Sequence, residues 1–101
     1  CLAVYPAEEW ERLSQKVAAI PESKGAQLKR WLFSGACEMV PDQQGRILIP
    51  QDLRQFAGLE KDVVVIGANN KAEIWNRASW EIANAAVDLD EMMSVLDTLG
   101  F

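Results

Sequence analysis

The 101 residues include no histidine, which removes the side chain best suited to moving protons near neutral pH and the commonest metal ligand. Cysteine is almost as scarce. Cys1 and Cys37 are the two present, too few for a disulfide framework and without the partners of a zinc pattern. Cys37 reads most simply as a small buried apolar residue, while Cys1 can be exposed at its end of the chain. No Ser or Cys is flanked by a recognisable base, so the chain is not expected to be an enzyme or to need a metal, cofactor or small-molecule substrate. Long apolar runs are missing too. Without one, and without a basic region leading into an apolar one at the N-terminus, neither a membrane span nor a secretory signal has support, and a cytosolic protein is the default. The sequence opens on Cys1 rather than Met, which suggests a processed chain or a fragment.

Half of the residues are apolar, and at this length they allow one compact domain with a modest core. The net charge of −5 is unevenly spread: residues 1–37 hold five bases and four acids, residues 38–77 five and six, residues 78–101 none and five. The whole excess therefore lies in the last segment. An acidic end weakens long-range attraction to phosphates but does not exclude contact with DNA through a separate loop.

Pro6 followed by Ala7-Glu8-Glu9 predicts a helix start with acids in its first turn, and Trp10, Leu13, Val17 and Ile20 continue it at helical spacing. Pro21 to Gly25 reads as a connector. A second helix follows on Leu28, Trp31 and Leu32 and stops near Gly35. Cys37 to Val40 can then alternate as a strand. Further on, Asp62 to Gly67 is too apolar to alternate and suits a strand with both faces covered. Asn69-Asn70 supplies a turn, and Ala72 to Trp75 the return strand. Asn76 is placed to cap a helix through Trp80 and Ala83. Asp88 with Glu91 has the spacing of a capping box, opening a last helix whose Leu89, Met92, Met93, Leu96 and Leu99 share a face before Gly100.

The stretch from Asp42 to Leu59 has a positional reason for nearly every residue. Asp42 and Gly45 suit the first and fourth places of a tight turn, and Arg46 stands at its mouth, leading the short β-branched strand Arg46 to Ile49. Pro50 opens a short helix with Asp52 in its first turn. Leu53, Phe56 and Ala57 form its apolar side, and Gly58 ends it so that Leu59 can fold back onto Leu53.

Taken together, Gly45-Arg46-Ile47-Leu48-Ile49-Pro50, Leu53-Arg54, Ala57-Gly58-Leu59 and Asp62 to Gly67 resemble the AbrB-like swapped-hairpin DNA-binding domains. The match to the MraZ family is more specific. Asp42-Gln43-Gln44-Gly45-Arg46 fits its Asp-x-x-x-Arg signature, and Cys1-Leu2, Tyr5-Pro6, Glu9-Trp10-Glu11, Glu73-Ile74-Trp75 and Trp80-Glu81 agree with its flanks, so the resemblance spans about residues 1 to 83. MraZ chains carry two such repeats. This chain has one, opening on a Cys-Leu that resembles the join after the first.

The resemblance implies an α+β fold, half of an AbrB/MraZ-like double-split β-barrel with flanking helices. Residues 1–35 would form a region of two linking helices, 36–76 the hairpin, helix and hairpin repeat, and 77–101 the C-terminal helices. It further implies a transcriptional repressor of the bacterial division and cell wall gene cluster, cytoplasmic and nucleoid-associated. A homo-oligomeric ring would present many copies of the loop to double-stranded promoter DNA. Half a barrel should expose unpaired strand edges and an apolar face, so the chain is expected to pair with another copy or to be seen with an N-terminal part missing.

From composition alone, Asp42 and Arg46 read as a turn with a weak surface ion pair; the resemblance makes Arg46 the DNA contact and Asp42 the residue that positions it. Arg is well shaped for a bidentate contact to guanine or phosphate. Gln43 and Gln44, at the tip, can add contacts, and Arg54 ranks second as a phosphate contact. Lys29, Arg30 and Lys71 rank lower, as surface charges. The tryptophans read as packing residues rather than base-stacking platforms. The alternative function is an antitoxin-type module of the AbrB-like fold, in which the acidic, apolar Asp88 to Phe101 wraps a partner protein, or else a scaffold. A last helix docked on the first two helices would favour the regulator; one extending free would favour the antitoxin type.

Overall fold

Three of the five helices start immediately after a proline. The computed structural model describes residues 1–100, and Phe101, the last residue of the expected C-terminal region, lies outside them. Pro6, Pro21 and Pro50 stand at the N-caps of α1 (Ala7–Ala18), α2 (Glu22–Gly35) and α3 (Gln51–Phe56), all with extended ψ. The pyrrolidine ring fixes φ and disfavours helix in the residue before it, so each proline separates one element from the next. The expected connector Pro21 to Gly25 is accordingly shorter than the sequence suggested, because helix resumes at Glu22. Gly25 lies in that first turn, buried against α1's exit: a Cβ there would meet the Ile20 side chain at 2.7 Å.

The sheet has three antiparallel strands in the order β1 (Leu2–Val4), β3 (Ala72–Asn76), β2 (Val63–Gly67). The four-residue connection between β2 and β3 closes through Ala68 N–H to Lys71 O, with Asn69 left-handed at φ 65°. Strand β1 was not anticipated, although Leu2 and Val4 alternate just before Pro6. Ile74 lies between Leu2 of β1 and Val65 of β2. It is 6% exposed, as is Val17, and among the described residues these two are the buried apolar side chains.

Long-range polar ties join the pieces. Asn70 Nδ2 donates to Glu9 Oε2 at 3.3 Å, linking the β2–β3 turn to α1. Asn76 acts twice: its Oδ1 accepts from Ser79 N–H to cap α4 (Arg77–Ala85), and its Nδ2 donates to Gly58 O at 2.9 Å. Aromatic edges fill the gaps, with Trp10 edge-on to Phe33 at 6.1 Å and Trp75 to Trp80 at 5.6 Å. The packing role expected of the tryptophans therefore holds for these three within the chain, whereas Trp31 faces water.

Several expectations are overturned, for one shared reason. Cys37 to Val40 and Arg46 to Ile49 form no strands, because no neighbouring strand of the chain pairs with them; Val40 and Leu48 are among the most exposed side chains. Cys37 is exposed rather than buried, as are its neighbours from Ser34 to Glu38. Phe56 is exposed too, so α3 turns only Leu53 and Ala57 partly inward. One face of β2, carrying Val63 and Val65, is open rather than covered.

The final helix, α5 (Leu89–Thr98), is capped as expected by Asp88, whose carboxylate accepts from Asp90 and Glu91 N–H. Every residue from Glu81 to Gly100 is exposed, and the expected apolar face of α5 is left largely open among the described residues. The consequence shows in the total. The accessible surface is 8286 Å², where a compact monomer of this mass would present about 5,700 Å². The radius of gyration is 16.5 Å, against about 13 Å for a globule of this length.

Candidate nucleic-acid interface

Asp42 organises the turn that follows it. Its N–H donates to Arg46 O at 2.8 Å and its own carbonyl accepts from Gly45 N–H at 3.0 Å, while Gly45 takes φ 77°, which a side chain would resist. The carboxylate then finishes the loop. Oδ1 accepts from the backbone N–H groups of Gln44 and Arg46, both at 2.9 Å, and Oδ2 accepts from Arg46 Nε at 3.0 Å. These bonds hold the Asp42 carboxyl below its ordinary pKa: the Arg46 backbone N–H is the largest cause, slight desolvation opposes it, and the Gln44 N–H and Arg46 guanidinium add to it.

The ion pair itself is solvent-exposed, with Arg46 at 73% and Asp42 at 45% side-chain exposure, so it adds little to stability. Its value is directional. With Nε engaged, the two terminal nitrogens of Arg46 donate to no group among the described residues, leaving the flat end of the guanidinium pointed away from the carboxylate. That end is the part that can bond two acceptors side by side.

Asp42, Gln43, Gln44 and Arg46 line one shallow surface hollow. Arg54 is not part of it. It belongs to a second hollow, with Gln51, Gln55, Gly58, Leu59 and Glu60, over the end of α3. That end closes as the sequence suggested: Leu59 N–H donates to Arg54 O and Gly58 N–H to Gln55 O, with Gly58 at φ 62°. Of the lower-ranked cations, Lys29 is paired with Glu22, Lys71 lies beside Glu73 and the Arg30 side chain bonds its own helix. Asn76 was read only as a cap; its tie to Gly58, which anchors the exit of α3, has no local sequence signal.

Among the described residues, no three His, Cys, Asp or Glu side chains are grouped to hold a metal ion, and no helix is long and apolar enough to cross a membrane. A small three-stranded sheet with flanking helices and a carboxylate-braced arginine turn is an α+β module of the AbrB-like kind. Comparison with known proteins narrows this. A family model described as "MraZ protein, putative antitoxin-like" matches residues 32–94. A protein of Heliobacterium modesticaldum named transcriptional regulator MraZ is 48% identical over 100 residues, covering 95% of this chain and 70% of the relative. Its namesakes from Lachnoclostridium phytofermentans and Clostridium beijerinckii are 44% and 43% identical, each over 99% of this chain and 71% and 72% of their own lengths. The chain belongs to the MraZ family. The likeness reaches beyond residue 83, where the sequence motifs ended: the family model runs into the first half of α5, and the last two relatives match 99% of the chain.

Proposed function

We propose that the chain is a transcriptional regulator that binds double-stranded promoter DNA through Arg46, with Asp42 as the brace that aims it and Gln43 and Gln44 as flanking contacts. The observation that carries this is the exposed guanidinium fixed through Nε, with its terminal nitrogens free. Two adjacent donors match O6 and N7 of guanine in the major groove. A phosphate contact is less well served, because the paired carboxylate cancels much of the attraction. Arg54, on its separate surface, suits a backbone phosphate instead.

One such loop on an acidic chain binds weakly; copies linked in a ring raise the effective concentration on repeated promoter elements. Residues 36–76 act here as the DNA-presenting repeat, with the helices on either side joining copies. In this reading the chain represses the division and cell wall gene cluster, acting in the cytoplasm and at the nucleoid. Electrophoretic shifts with the region upstream of the chain's own operon, at two salt concentrations, test the reading. Arg46→Ala should weaken the shift while light scattering shows the assembly intact; unchanged binding removes Arg46 from the site.

A second reading is favoured by one observation. Helix α5 is exposed along its whole length among the described residues, as expected for an antitoxin-type module that offers an acidic, apolar segment to a partner. Co-purification of a stoichiometric partner of a different sequence, lost on truncation at Asp88, would support it over the regulator.

A further inference from the structure

Helix α5 and helix α2 leave complementary surfaces uncovered. On α5, Leu89, Met92, Met93 and Leu96 recur at i, i+3, i+4 and i+7 and are 74%, 45%, 59% and 43% exposed. On α2, Lys24, Leu28 and Trp31 recur at i, i+4 and i+7, with Leu28 41% and Trp31 62% exposed. On the opposite side of α2, Phe33 is engaged with Trp10 along one edge while remaining 41% exposed.

Charge follows the same division. Helix α5 carries Asp90, Glu91 and Asp97 and no base, while α2 carries Lys24, Lys29 and Arg30 against Glu22 alone. It is the helix of the described chain with a positive balance. Asp97 sits in the last turn of α5, where the dipole disfavours an acid and no base of the helix offsets it.

We propose that α5 of one copy packs its Leu89–Leu96 stripe onto the Lys24–Leu28–Trp31 stripe of α2 in a second copy of this chain, with its acids beside that helix's bases. The inference rests on the reading of the chain as a multimer, and not on its DNA role. The surface excess over a compact monomer, about 2,500 Å², exceeds the roughly 800 Å² per partner of a standard interface. Each copy can therefore be covered twice, once through α5 and once through α2. Because the two surfaces differ, the contact is head-to-tail, the kind that closes into a ring when its rotation permits. Met92 and Met93 adapt to the indole of Trp31, a residue type that anchors interfaces.

Two chains test this, both carrying Cys1→Ser and Cys37→Ser: one with Leu28→Cys, the other with Met93→Cys. Mixed under mild oxidation, they should form a disulfide-linked heterodimer that neither forms alone. In the otherwise unaltered chain, Leu96→Asp should weaken self-association about tenfold or more with helicity unchanged by circular dichroism. An assembly of normal mass that yields no cross-link, or that Leu96→Asp leaves intact, overturns the inference while sparing the multimer. A chain carrying both cysteines that closes on itself at concentrations too low for copies to meet overturns it in favour of docking within one chain. A monomeric parent chain overturns the multimer reading as well.

Discussion

The turn at Asp42–Arg46 and the helix at Leu89–Thr98 are about equally open to water, and for opposite reasons. In the turn, every bond that shapes it is made inside five residues, and what it exposes is a charged head content in solvent. In the helix the backbone is satisfied and capped, but its exposed side is Leu and Met, whose contact with water opposes leaving it bare. Exposure alone thus says little. A polar feature braced from within is ready to read something, whereas an apolar one with no brace asks to be covered.

The sharpest way to break this contrast is to remove the head of the turn. Arg46→Ala should cost about ten- to a hundredfold in DNA affinity per copy, the worth of a bidentate base contact, with assembly mass unchanged. Arg46→Lys, which keeps the charge and loses the fork, should recover little of it. A result in which either variant dissolves the assembly would merge the two regions. Next, Asp42→Ala releases the guanidinium and two backbone N–H groups. Affinity should fall several-fold, in keeping with about 0.5–1.5 kcal/mol per bond, and amide exchange at Gln44 and Arg46 should quicken while α5 is unaffected.

Smaller effects sharpen the contrast further. Gly45→Ala forces a side chain to φ 77°, an expense of about 1–2 kcal/mol that should appear as local disorder of the turn in NMR rather than as a changed oligomer. The smallest effect is that of acid. The folded pKa of Asp42 lies below its unfolded value, so its contribution is complete above about pH 4 and is lost as pH falls through the folded value. A carboxyl-carbon titration should place Asp42 below the ordinary aspartate value. A midpoint at or above that value would mean the brace is absent in solution.

The same contrast explains what could be read from the chain alone. The starts after Pro6 and Pro50, the caps at Asn76 and Asp88, the ending at Gly58 and the Asp42 turn all depend on residues within five positions of one another. Those features were legible. Strand β1, the unpaired legs on either side of the turn, the exposure of Cys37 and the bare face of β2 depend on which distant segment lies alongside. A run such as Arg46 to Ile49 carries the same strand preference whether or not a neighbour arrives. The bond from Asn76 to Gly58 belongs to this second group, spanning eighteen positions.

That bond has a mechanical consequence. One amide group grips the tail of α3, just downstream of the Asp42–Arg46 turn, and with its other atom seals the first turn of α4, which leads on to α5. A load that drags α3 away from the sheet must therefore unlatch Asn76 from Gly58 or unseat Ser79. A tug at the turn is in this way felt, through a single side chain, at the root of α4 and α5.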